Sequence, residues 1–424
     1  MTLCRLIVVP KLTLLLVGLT LLLSACTTQW QGHPRPDANT IARALGHPGD
    51  EIQLWDLPSD SMPDFPLPKS LRPCCAFGNM QKVKVGALPI PLYRLGNTVD
   101  VNDVGPHTYD GGMLGFTRSS VSATRHAGTE NNGIVYTKRG GFIDLAHVRD
   151  TADDTMGLFF PIFKHLGQQQ VIELDGEIGR RYVRLHAFDA SNLSNHQRWQ
   201  LAAALAARLA YFKAESHEIA QWRGYASLAS WPETVSAYSP EDLYSNMLGA
   251  KLSLALIQSK LVLNSQLYDQ SMTVWLEEAL KWLGGVSAKE TNALFDVVDG
   301  HWWDSSRAIP EKYLVLKRHY LMGDAQQPHR VPVALARSHS QWPALAAMYV
   351  GQPQSQPLSL ASTLFGLSLD EIGELRLEVD PAYQASFAHL PETLWQQGFS
   401  HRQFGAIAAA DERLDQAELA ELGH

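Results

Sequence analysis

The chain has 424 residues, 45% hydrophobic and 18% charged, a globular composition long enough for one large core or two modest ones. Its formal net charge of −8 and pI near 6.0 argue against a nucleic-acid partner, which a basic surface would serve.

The N-terminus reads as a targeting segment. Arg5 and Lys11 precede an apolar run from Leu12 to Leu23, and "LSAC" closes it at Cys26. A charged start, a short apolar stretch and small residues make a secretory signal, expected to span residues 1–25. With the cysteine directly after it, the stretch resembles a bacterial lipobox. That resemblance implies cleavage before Cys26 and acylation of its thiol with palmitate-type chains, so that Cys26 is the membrane anchor. Thr27, where aspartate would retain a lipoprotein at the inner membrane, then implies the outer membrane, facing the periplasm. No other apolar run reaches the ~20 residues that a membrane span requires. Cys4 should leave with the signal, and the adjacent Cys74 and Cys75 remain in an oxidising compartment.

Residues 26–70 are rich in proline and read as an extended tether, ahead of a main domain over 71–330. "KVKVGALPIPLYRLG", from Lys82, suggests short strands, and "GIVYT", Gly133 to Thr137, another. "VIELDGEIGRRYVRL", Val171 to Leu185, suggests a hairpin turning at Asp175-Gly176. His196 to Trp222 reads as one long helix with an alanine-rich middle. Ser239-Pro240-Glu241-Asp242 predicts a helix start: hydroxyl cap, proline in the first turn, acids at the positive end. That helix should run to about Leu263. Ser287 with Glu290 predicts a capping box. Residues 331–424 read as an extension of short helices. The fold class expected is α+β, mainly α, with long helices packed on a small antiparallel sheet or hairpin.

Five blocks in this order, "RPCCAFG", "GPHTYD", "RGGFIDLAHVRDTAD", "SHEIAQW" and "SPEDLYSNMLGAKL", resemble the bacterial envelope family catalogued as domain of unknown function 4056. The resemblance spans roughly Leu71 to Met322. It implies a bacterial envelope protein, often a lipoprotein, and carries over no catalytic residue.

Chemistry must therefore be read from the residues. "RGGFIDLAHVRDTADD", Arg139 to Asp154, is expected to be a helix from near Phe142. At about 100° per residue, Asp144, His147, Asp150, Thr151 and Asp154 then share an arc of about 120°. Such a face either meets water or lines a cleft. In the second case His147 and Asp150, three apart, suit one metal ion, and crowded carboxylates suit proton transfer. "SHEIAQW" begins like the zinc-peptidase pattern H-E-x-x-H but carries Gln221 where the second histidine would stand. An alanine strip on the same helix points to a semi-buried His217 and Glu218 that need partners. The reading is either a structural histidine–carboxylate network or a site in which His217 joins His147. Cys74 or Cys75, activated by His107 or His147, is a third candidate, with packed or paired thiols as its alternative. "DGHWWDSS", Asp299 to Ser306, is either a sugar or lipid contact or a pair of packed tryptophans. No G-x-S-x-G elbow, P-loop, dinucleotide fingerprint or calcium loop occurs.

Two functions follow. One is a membrane-tethered, metal-assisted hydrolase of an envelope substrate. Its metal, zinc by preference, would be held by His147, Asp150 and His217, with Glu218 as general base and Asp144 as a second acid–base group. The other is a non-catalytic envelope lipoprotein whose histidines are structural or partner-binding.

Overall fold

The computed structural model describes residues 35–46, 65–72, 76–83, 94–111, 130–227 and 233–423. The expected signal segment, Cys26, Cys74 and Cys75 lie outside these. Arg35–His424 forms one compact unit, mainly helical with small antiparallel sheets, as the composition of its elements led one to expect.

The described part of the expected tether is not free of the body. Helix α1 (Ala38–Leu45) is capped by Asp37 and buries Ile41 and Leu45. Phe65 stacks on Phe160 and meets Tyr109 and Tyr268 edge-on. These apolar anchors outweigh the prolines around them. Strands β1 (Met80–Lys82) and β2 (Arg94–Gly96) pair antiparallel.

Strands β3 (Ile134–Thr137) and β4 (Gly141–Asp144) form a hairpin that runs directly into helix α2 (Leu145–Lys164). The helix thus begins three residues later than its polar periodicity suggests. Phe142 and Ile143 stay extended because they pair with Tyr136 and Val135. Asp144, the last strand residue, becomes the N-cap, accepting from Ala146 N at 2.7 Å. Gly141 has φ +71°, and a Cβ there would sit 2.2 Å from the carbonyl oxygen of His329, so the hairpin needs this glycine.

Strands β5 (Gln170–Leu174) and β6 (Gly179–Leu185) make the expected hairpin. Helix α3 (Asn195–Trp222) follows, opened by a Ser194–Gln197 capping box. Helix α4 (Asp242–Gln258) begins at Asp242, not at Ser239, whose hydroxyl donates instead to the Glu241 carboxylate at 2.7 Å. It stops five residues before Leu263, where Lys260 takes φ +54° and reverses the chain. Helices α5 (Ser265–Trp282) and α6 (Ala288–Val298) come next, the latter with the Ser287–Glu290 box.

Beyond a pair of short helices, α7 (Val333–Ser338) and α8 (Trp342–Tyr349), the C-terminal region departs from the expected extension. Strand β7 (Gly373–Val379) pairs with β6 along its whole length, giving the sheet order β8-β7-β6-β5, with β8 being Phe399–Ser400. Helix α9 (His401–Glu421), 21 residues long, packs on α3. The alternating residues of β7 offer a sheet face that no run of short helices could supply.

The main core lies where α2, α3 and α4 pack on one another. All three are buried on nearly every side, so their polar residues are inside the molecule too. The side of α2 that its periodicity offered to water is enclosed. A second core gathers Phe77, Phe142, Phe295, Trp302 and Trp303, and the Trp303 indole donates to the carbonyl of Phe295. The tryptophans of "DGHWWDSS" are therefore packing residues.

Candidate metal centre

Helices α2 and α4 approach closely because α4 carries Gly249 against the backbone of Val148. A Cβ at Gly249 would lie 2.0 Å from the Val148 carbonyl oxygen. One and two turns earlier on the same stripe of α4 stand Asn246 and Asp242. The close approach sets both against His147, each on one ring nitrogen.

His147 Nδ1 lies 3.3 Å from Asn246 Oδ1, which also accepts from the Thr151 hydroxyl at 2.8 Å. An amide oxygen can only accept, so Nδ1 carries the proton and Nε2 presents its lone pair. Nε2 lies 3.2 Å from Asp242 Oδ1. Burial takes the imidazole down to about 4, so it is neutral at physiological pH, the form that binds metals. Asp144 completes the group: ligand atoms of Asp144, His147 and Asp242 all lie within 4.8 Å of one another, and all three residues are buried. Two ligands about 2.0–2.1 Å from a tetrahedral zinc would stand about 3.3 Å apart, so the His147–Asp242 separation fits.

Two more carboxylates face the group. Glu218, on α3, accepts from Tyr238 N at 2.7 Å through Oε2, while its buried Oε1 makes no hydrogen bond. Glu241 has one oxygen on Ser239, and its Oε1 is likewise buried without a hydrogen bond, as is Asp242 Oδ2. Burial raises Glu218, against the pull of His147 and His217. Burial first, then Ser239 in opposition and repulsion from Asp144, leaves Glu241 at about 8. Asp242 is pushed well above its ordinary value by burial and by Glu241, Glu218 and Asp144. Each acid keeps a buried oxygen without a hydrogen bond, and beyond the charge of His217 and Arg318 a divalent cation would hold them as anions.

The other residues singled out from the sequence lie elsewhere. Asp150, expected beside His147 as a ligand, belongs to a buried ion network. The Arg72 guanidinium bonds Asp150 and Asp153 at 2.9 Å each and Glu130 at 2.7 and 2.8 Å, and the Arg72 amide also donates to Asp150. His107 meets Asp153 at 2.8 Å in the same network. Six residues of helix separate Asp144 from Asp150, about 9 Å of rise, which is enough to put them against different neighbours. His217, also expected as a ligand, has Nδ1 3.0 Å from Glu177 Oε1, and Arg181 holds Glu177 at 2.8 Å. Burial would lower the His217 ring, but Glu177, Glu218 and Glu233 outweigh it and carry it up to about 9. A protonated imidazole has no lone pair for a metal. His217 is therefore a cation held between Glu177 and Glu233, not a metal ligand. Asp154 is paired with Lys213 at 2.6 Å.

Asp242, Asn246 and Glu241 were read in the sequence only as helix-start acids and a helix interior. The signal was present in "SPEDLYSNMLG", where Asp242, Asn246 and Gly249 recur at i, i+4 and i+7 on one face of a helix that is mostly apolar.

The family described as protein of unknown function (DUF4056) matches residues 62–332, a span that holds α2, α3, α4 and every residue of this centre. The chain belongs to this family. No curated protein and no solved structure matches it. The sequence blocks that carry the resemblance acquire distinct jobs. Arg72, His107, Asp150 and Asp153 build the ion network. Asp144, His147, Glu218, Glu241, Asp242 and Asn246 build the centre, and Gly249 lets it close.

Proposed function

We propose that the protein is a lipid-anchored envelope hydrolase that works with a divalent cation, zinc by preference, held by Asp144, His147 and Asp242. The carrying observation is the convergence of two buried carboxylates, Asp144 and Asp242, on the neutral His147 imidazole whose tautomer Asn246 sets. A bound cation would polarise a substrate carbonyl or phosphoryl oxygen and acidify water beside it. Glu218, raised by burial and with one oxygen unbonded, is the base that takes a proton from that water. Anchoring through Cys26 and placement at the outer membrane rest on the lipobox. No described helix is long and apolar enough to cross a membrane.

A second reading has one observation in its favour. The 3.2 Å His147–Asp242 contact also serves as a hydrogen bond if Asp242 keeps its proton, making the centre a structural network in a non-catalytic lipoprotein. Metal content separates the two. Purified protein stripped with chelator and reconstituted should bind about one equivalent of zinc and melt higher; Asp242→Asn and His147→Ala should each lose both effects. Less than a tenth of an equivalent, with no change in melting, removes the hydrolase reading. If zinc binds, ester, amide and phosphodiester substrates tested with wild type and Glu218→Gln decide whether the centre catalyses.

A further inference from the structure

Helix α9 carries two aspartates, Asp411 and Asp415, on the stripe that it buries with Phe404, Ile407 and Leu419. A buried carboxylate needs partners. Asp415 has Lys312 at 3.0 Å. Asp411 divides its two oxygens between different tasks. Oδ1 accepts from Arg223, just past the end of α3, at 2.6 Å, and lies 3.2 Å from His389 Nε2. Oδ2 accepts the Tyr238 hydroxyl at 2.9 Å, a contact across 173 positions of sequence. Pairing with Arg223 needs the first oxygen alone; the second serves a tyrosine.

Tyr238 stands where a large side chain is unfavourable. It is the third residue of a turn closed by Ser239 N on the carbonyl of Ser236, and its φ is +56°. Glycine or asparagine is usual at such a position, and a bulky residue stays there only where its surroundings fix it. Here they do. His319 N donates to the Tyr238 carbonyl at 2.7 Å, and Arg318 bonds the carbonyl of Ala237. Trp222 and Tyr320 pack on the ring, with centroids 5.6 and 4.6 Å away, and Asp411 holds the hydroxyl at its far end. With ring and carbonyl both anchored, φ sets where the N–H points. It donates to Glu218 Oε2 at 2.7 Å, and Oε1 is left as the buried oxygen without a hydrogen bond.

We infer that Tyr238 and Asp411 are positioning residues for Glu218. Through one hydroxyl and one peptide N–H, helix α9, which lies outside the span matched by the family, orients a carboxylate of the centre. The inference rests on the role given to Glu218 as base of a metal-assisted hydrolase. Neither positioning residue is a cation ligand in that reading, so their loss acts on the base and leaves zinc affinity alone.

Amide exchange followed by NMR, in metal-free protein isotope-labelled at tyrosine nitrogen, tests this. The Tyr238 signal is the one that Tyr238→Phe removes. Asp411→Ala should speed its exchange about tenfold or more, to the rate seen in Glu218→Ala, while Tyr182 and Tyr211 keep theirs. Because Asp411→Ala also strips Arg223 of a partner, Tyr238→Phe labelled at phenylalanine is the second variant, and its new amide should exchange as fast. In zinc-loaded protein, Tyr238→Phe should lower kcat about tenfold for the ester, amide or phosphodiester that the wild type hydrolyses, with KM and zinc affinity within about twofold. A slow amide at position 238 in both variants, faster exchange shared equally by Tyr182 and Tyr211, or an unaltered kcat overturns the inference. Wild type that binds no zinc or turns nothing over removes the hydrolase reading by itself, and the metal-free exchange then still decides whether Asp411 positions Glu218.

Discussion

Replacing Arg72 with methionine tests the buried ion network. The side chain is 1% exposed and holds Glu130, Asp150 and Asp153, along with the Thr108 carbonyl at 2.7 Å. Methionine fills similar volume but leaves three carboxylates sharing what remains: Arg149, 3.9 Å from Glu130, and His107 on Asp153. Removing one member of a buried pair costs about 3–5 kcal/mol. Arg72 serves three acids, so a loss at the upper end, about 5 kcal/mol, is expected at pH 7, a large part of a typical total stability. Burial works against all three acids: it leaves Asp150 raised to about 7 despite Arg72, whereas Arg149 and Arg72 hold Glu130 far below its ordinary value and His107 and Arg72 hold Asp153 below its own. Depressed carboxylates stabilise above their unfolded values near pH 4, and that contribution disappears as the pH falls through their folded values. The gap between wild type and Arg72→Met should therefore be full at pH 6–7 and shrink below about pH 4. Urea unfolding followed by tryptophan fluorescence measures it. A loss under 1 kcal/mol at pH 7, or a gap that widens on acidification, would refute the reasoning. Adding Glu130→Gln and Asp153→Asn should recover a large part of the loss, because neutral amides need no cation.

Burial raises Glu215 to about 8, against hydrogen bonds from Gly323 N and Tyr211. Its folded form keeps a proton that the unfolded chain has lost, so stability should fall as pH rises from about 4 to about 8, and Glu215→Gln should flatten that slope by at most about 5 kcal/mol. Urea midpoints for the two proteins at pH 5 and pH 8 check this; a gain at pH 5 equal to that at pH 8 counts against it. Gly249→Ala should cost about 3 kcal/mol or more and weaken zinc binding, since its methyl meets the Val148 carbonyl and parts α4 from α2. Gly405→Ala, with nothing within 4 Å of its added carbon, should instead stabilise α9 by about 0.5–1 kcal/mol in the same melting assay. Cys26→Ser should fold normally yet lose labelled fatty acid and leave the membrane fraction; a variant that still takes up the label defeats the lipobox reading.

What the sequence determined by itself is local. The β5–β6 hairpin, the span of α3 and the Ser287–Glu290 box depend on turn residues, periodicity and caps within a few positions of one another. Where a nearby tertiary partner competed, local signals misled. Phe142 and Ile143 join a strand because β3 pairs with them, and Ser239 gives its hydroxyl to Glu241 instead of capping α4. The centre was half legible. Asp144 and His147, three apart on one helix, could be paired from the pattern alone. Asp242 and Asn246 could not, because the contact with His147 spans 99 positions and exists only where Gly249 admits the backbone of α2. A polar arc on a helical wheel looks the same whether water, an arginine or another helix lies opposite. The wheel also discards the rise along the axis, which sends Asp150 to Arg72 and leaves His147 facing Asp242.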